Sequence, residues 1–186
     1  YTIIASFFVL LLVFPAHFIF PFIVPKIIAF RILSITLLGL FFLLLYINKQ
    51  EHLPQRSLLH GTVLFFLVTH ALSTFVGLDW YRSFWDNHER MLGLFTLVHY
   101  GMYYLVASSV VRTWNEWHVL LRWFLCAGGI VMSIGLLQFY VNPDLLLNGG
   151  ANRVSSTLGN AIYFSAYGMF LFFIGLVPFS SHLLGE

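Results

Sequence analysis

Charge is what this sequence has least of: Asp, Glu, Lys and Arg make up 9% of its 186 residues, against about a quarter in a water-soluble domain. That deficit excludes a soluble fold. No core of this size hides 60% hydrophobic residues and 21 Phe, whereas lipid accepts them and requires only that backbone polar groups be paired within helices. Cysteine is nearly absent too. The single Cys126 rules out an internal disulfide and, set in an apolar run, reads as a small buried hydrophobe. With scattered basic residues and a net charge of +2, there is no patch that would recruit nucleic acid or anionic lipid. Also missing are a Gly-rich phosphate loop, a Ser/His/Asp arrangement and metal-ligand spacing. His60, His70 and His99 have no i,i+4 partner with a nearby carboxylate, so they read as hydrogen-bonded bundle histidines rather than zinc ligands.

What is present is a succession of apolar runs: 2–24, 27–47, 57–77, 91–111, 119–141 and 161–181. Each approaches the roughly 20 residues that a bilayer requires. The fold class is therefore all-α, a polytopic membrane helical bundle of about six transmembrane helices. With no repeat and no linker, residues 1–186 read as a single transmembrane domain. Pro15 and Pro21 should bend the first run, and Pro25 and Lys26 should end it. Arg31 and Arg122, near the starts of their runs, should snorkel to the surface. Gly128, Gly129 and Gly135 in the fifth run, and Ala161, Ser165, Gly168 and Gly175 in the sixth, should allow close helix approach. The chain starts at Tyr1 without a methionine and its last run stops at Glu186, so a piece of a longer protein is expected.

Six spans would put the loops after the first, third and fifth on one face. Lys26, Arg31, Arg82, Arg90 and Arg153 fall there, against Lys49, Arg56, Arg112 and Arg122 on the other, so charge alone does not orient the chain. Two polar stretches share the first face. One, LDWYRSFWDNHERM, sets Asp79, Arg82, Asp86, Glu89 and Arg90 among Trp80, Tyr81 and Trp85, and by composition it is an ordinary interfacial loop. Arg90 lies four residues after Asp86, so a helix-face ion pair is its alternative reading, and His88 reads as a surface histidine. The other, 142–160, places Arg153 among Gly, Asn, Ser and Thr. A guanidinium there, always charged and with five fixed donors, suits the gripping of an anion.

SFWDNHERMLGLFTLVHYG (83–101) and NRVSSTLGNAIYFSAYG (152–168) together resemble the bacterial O-antigen ligase and O-antigen polymerase superfamily. The first matches its Ser, Trp and Arg, then Gly, opening a membrane helix; the second matches its Arg, then Gly-Asn, then a small-residue helix start. Two positions depart. Asp86 follows Trp85 where the family often has Gly, and Ala161 and Ile162 follow Gly159 and Asn160 where it often has Pro-Asn.

The resemblance implies part of a GT-C-like glycosyltransferase fold in the bacterial inner membrane, with loops 78–91 and 142–160 external. The implied activity belongs to cell-envelope polysaccharide biosynthesis. A glycan passes from an undecaprenyl diphosphate carrier to the hydroxyl of a lipid or glycan acceptor, with no metal and no cofactor. Arg90 and Arg153 match the family's arginines and would bind the diphosphate, with Arg82 a further candidate. The family's general base, a histidine, lies in a large external loop beyond these spans. No catalytic residue is therefore assigned here, and the segment alone is expected to be inactive. Ligase, polymerase and protein-glycosylating enzymes are not separated by these residues. Two other classes stand beside this reading: a transporter whose polar loops line a path, and a non-enzymatic structural membrane subunit.

Overall fold

The computed structural model describes residues 1–14, 19–49, 53–54, 57–87, 89–146 and 153–184, with side chains through Val177. Pro15, Arg56, His88 and Asn152 lie outside the described residues. All regular structure among the described residues is helical: α1 (Thr2–Phe7), a 3-10 turn (Phe8–Leu11), α2 (Val24–Ile47), α3 (Leu58–Val76), α4 (Trp80–Trp85), α5 (Leu94–Val110), α6 (Trp114–Tyr140), a second 3-10 turn (Ser156–Leu158) and α7 (Ala161–Leu184). Three of these, α2, α3 and α6, are long and apolar enough to cross a membrane. The remaining apolar runs form Thr2–Leu11 and Leu94–Val110, which are shorter, and α7, whose described side chains cover Ala161–Val177. Large side chains such as Leu58, Leu64, Phe65 and Val76 on α3 face outward, as lipid-facing positions do.

The run 2–24, expected to span with bends, is instead broken. Its helix stops at Phe7, the 3-10 turn ends at Leu11, and Leu12 is extended at φ −71°, ψ 118°. Prolines at 15 and 21 remove N–H donors and push the residues before them out of the helical region. Pro25 and Lys26 do not end a helix; they lie in the first turn of α2, where proline's missing donor has no intrahelical partner to lose.

The chain packs as two compact units, one of 3–26 with 113–186 and the other of 27–112. In the second unit, Phe30 of α2 meets Tyr100 and Tyr103 of α5 at ring separations of 5.0 and 5.6 Å. Helices α3 and α5 come so close that a Cβ on Gly101 would lie 2.5 Å from Leu67 Cδ1. Ser57 caps α3 by accepting the His60 N–H.

In the first unit a capping box of Thr113 and Glu116 starts α6, closing two of the donors that a helix start leaves open. Helices α6 and α7 run antiparallel: Gly135 faces Phe164, and Gly128 faces Leu171. A Cβ would lie 2.4 Å from Phe164 Cζ at Gly135 and 2.2 Å from Leu171 Cδ2 at Gly128. Bulk on α7 thus fills glycine notches on α6, and the small face expected on α7 packs in return: a Cβ would lie 3.2 Å from Met132 Cε at Gly168 and 3.8 Å from Leu125 Cδ2 at Gly175. Gly129 meets nothing within 4 Å and takes no part. Ala127, Gly128, Val131, Gly135 and Gln138 form the buried stripe of α6. Cys126 sits off that stripe and is exposed, correcting the buried position expected for it.

Candidate functional site

The loop carrying Arg153 is fastened from outside by polar side chains. Gln138 on α6, 3% exposed, accepts the Ser155 N–H at 3.2 Å and the Ser156 N–H at 2.8 Å on Oε1, and donates from Nε2 to the Pro143 carbonyl. Ser156 Oγ donates to the Val131 carbonyl at 2.6 Å. Lys26 Nζ donates to the carbonyls of Thr157 and Phe22, each at 2.6 Å. These ties hold a strained turn. Ser156 has φ 50°, a left-handed conformation costing a non-glycine residue about 1–2 kcal/mol, and such strain persists only where the surroundings over-determine it.

The Gly-Asn pair that follows has two separate jobs. Gly159 has φ +71°, and a Cβ there would lie 2.5 Å from Phe22 Cγ, so both conformation and space demand glycine. Asn160 accepts the Ile162 N–H on Oδ1 at 2.9 Å, capping α7 at the expected helix start. Arg153 is exposed and lines, with Val154, Ala161, Ile162, Phe164 and Ser165, an open cleft of about 510 Å³. That lining has one cation and no carboxylate. It also includes the first turn of a 24-residue helix, the end where backbone N–H groups and the helix dipole favour negative charge.

In the other unit, the stretch 83–101 folds as a tight connection from α4 to α5. Asp79 caps α4 by accepting the Arg82 N–H at 2.9 Å. Asp86 then takes φ 61°, ψ −172°, a region occupied almost only by glycine. Its carboxylate accepts the Leu92 N–H at 2.9 Å; among the described residues it makes no ion pair with Arg90, so the alternative reading of Arg90 is not observed. Asn87 accepts the Arg90 N–H at 2.8 Å. Gly93 permits the return: a Cβ there would lie 2.3 Å from the Phe84 carbonyl oxygen. Arg82 and Arg90 are both exposed.

Arg31 behaves differently from the snorkelling expected of it. Its guanidinium donates to Thr96 Oγ1 at 2.6 Å and to the Met91 carbonyl at 3.3 Å, and lies 4.8 Å from the centre of the Phe95 ring. Fully buried Thr96 donates to the same carbonyl, so the turn behind Arg90 is held from α2 and α5.

The histidines are hydrogen-bonded as expected: His60 to Ser57 and Ser108, His70 to the Phe66 carbonyl, and His99 to the Phe95 carbonyl. Among the described residues no group of three His, Cys, Asp or Glu could hold a metal ion.

No family model, curated protein or solved structure matches the chain.

Sequence reasoning missed Gln138 and gave Lys26 only a boundary role. A signal for both was present: an amide and an ammonium within or beside apolar runs are expensive in a membrane and call for a partner.

Proposed function

We propose that this chain is part of a membrane glycosyltransferase of the O-antigen ligase and polymerase type. It would take a glycan from undecaprenyl diphosphate and transfer it to an acceptor hydroxyl outside the cytoplasmic membrane of a bacterium. The observation that carries this reading is Arg153 in its cleft at the first turn of α7. A guanidinium and a helix N-terminus facing the same space match a diphosphate in charge and in donor geometry. The local roles of the motif residues support it further: Gly159, Asn160 and Gly93 each meet a backbone demand, and Asp86, where the resembled family often has Gly, adopts a backbone conformation that favours glycine.

In the proposed reaction the acceptor oxygen attacks the anomeric carbon as the bond from that carbon to the diphosphate oxygen breaks. The diphosphate leaves with the electron pair, and its growing charge is stabilised by guanidinium and backbone donors fixed in advance. Arg153, in 142–160, provides that stabilisation; Arg90 and Arg82, in 78–91, are the further diphosphate-binding candidates that the resemblance gives, and both loops are external in this proposal. The acceptor's proton goes to a histidine that the resemblance places in a later external loop. No metal takes part.

The fold proposed with this function is GT-C-like, with the helices around α1, α5 and α7 completing six crossings. The test is glycan transfer by the full-length protein carrying Arg153→Ala or Arg90→Ala, scored with membrane abundance. Transfer lost at parental abundance supports the reading, and transfer retained by both variants refutes it.

A further inference from the structure

Lys26 poses a question that the proposed function leaves unanswered. Its ammonium sits at the start of a helix able to cross a membrane, and its two hydrogen-bond partners are both carbonyls, those of Phe22 one turn back and Thr157 across the unit. A strongly hydrated point charge is costly to hold beside lipid, and two carbonyls compensate it less well than a carboxylate would. A boundary cation needing only water would extend outward on its flexible stem. This one turns inward to a single turn of the Arg153 loop.

That turn is where the fastening converges. Gln138 holds the amides of Ser155 and Ser156, Ser156 Oγ holds α6, and Ser156 itself is left-handed. Phe22, whose carbonyl shares the Lys26 ammonium, also packs against Gly159 at the far end of the turn. Lys26 therefore adds a tie at Thr157, which lies in sequence between Arg153 and the cap of α7. Without it, the Thr157 carbonyl loses its charged donor and the strained turn loses one of its ties.

We propose that Lys26 is a positioning residue for anion binding: by pinning the Thr157 carbonyl, it holds the Arg153 loop in the form that presents the guanidinium at the first turn of α7. It touches no substrate and does not line the cleft. This inference rests on the proposed function, because it assumes that Arg153 meets the diphosphate.

The experiment measures initial rates of the full-length protein in membranes against the concentration of an undecaprenyl-diphosphate-linked glycan, for the parent, Lys26→Met, Lys26→Arg and Arg153→Ala. A loosened clamp misplaces the cation both in binding and in the transition state, so Lys26→Met should raise KM for the donor by about tenfold or more and also lower kcat per membrane-resident molecule. Lys26→Arg keeps charge and donors and should return KM to within about threefold of the parent. A purely structural loss would lower the amount of active protein and leave KM alone. If Lys26→Met is not retained in the membrane, Lys26→Leu, which likewise has no donor for the Thr157 carbonyl, replaces it with the same two outcomes.

An unchanged KM in the neutral variant, or a KM in Lys26→Arg as high as in Lys26→Met, overturns the proposal. Arg153→Ala keeps the two failures apart. If it abolishes transfer while Lys26→Met leaves KM unchanged, only the positioning role falls; if it leaves transfer intact, the proposed function falls first.

Discussion

Gln138 Oε1 accepts the Ser156 N–H at 2.8 Å and the Ser155 N–H at 3.2 Å, so one amide on a membrane helix hangs two successive backbone donors of the Arg153 loop. All three residues are buried. Gln138→Leu would strand both amides where water does not reach them. Each stranded donor costs about 1–3 kcal/mol, which predicts a clear fall in the melting temperature of the full-length protein in detergent. An unchanged melting temperature would show that the loop does not depend on this side chain.

Two glycines predict opposite outcomes. At Gly93 an added Cβ meets the carbonyl oxygen and carbon of Phe84 and the nitrogen of Asp86, at 2.3, 2.7 and 2.8 Å. Backbone cannot rotate aside as a side chain can, so Gly93→Ala should cost about 3 kcal/mol, the upper end of overpacking penalties. At Gly129 nothing lies within 4 Å, and alanine in a helix interior gains up to about 1 kcal/mol over glycine. Membrane abundance and thermal unfolding of the two variants, compared side by side, check both signs at once.

Asp86 combines a strained backbone with a useful carboxylate. Asp86→Ala keeps φ near 61° without the bond to the Leu92 N–H, so it loses about 1 kcal/mol for the hydrogen bond and retains the strain. Asp86→Gly loses the same bond but removes about 1–3 kcal/mol of strain. Glycine should therefore be at least as stable as the parent and alanine less stable, measured as the difference in melting temperature. The reverse order would mean that the carboxylate, not the backbone, decides this position.

Arg31 predicts a charge-specific effect in its own unit. Arg31→Met removes the bonds to Thr96 and Met91 and the stacking on Phe95, a loss of about 1.5–3 kcal/mol for a charged donor. Arg31→Lys restores only part of this, because a point ammonium lacks the planar fork. Equal stability of the lysine variant and the parent would show that charge alone suffices.

Helicity was legible in the sequence because lipid leaves the backbone few choices, and α2, α3 and α6 follow from long runs with almost no charge. The start of α7 was legible as well, since Asn160 is an effective cap and Gly159 an effective terminator. The break after Leu11 was underestimated because run length weighs Pro15 and Pro21 as bends, whereas each proline also disfavours the helical region for the residue before it. Arg31 was misjudged for another reason: its position in the run permits snorkelling, and only tertiary packing reveals that Thr96 and the Met91 carbonyl are within reach. Gln138 and Lys26 escaped notice for the same cause. The partners that fasten the loop, the Ser155 and Ser156 amides and the Thr157 carbonyl, are backbone groups more than ten residues away, and no residue pattern shows which distant amide or carbonyl will be met.

The most direct measurement is donor-dependent glycan transfer by full-length Arg153→Ala and Arg153→Lys at membrane abundance matched to the parent. Removal of a donor that stabilises developing charge lowers turnover by about 100- to 1,000-fold. Alanine should show a loss of that order, and lysine should recover only part of it, because a point charge does not reproduce the two parallel bonds of a guanidinium. Parental turnover in Arg153→Ala would contradict the assignment of this loop to the diphosphate, and with it the glycan-transfer reading of the chain.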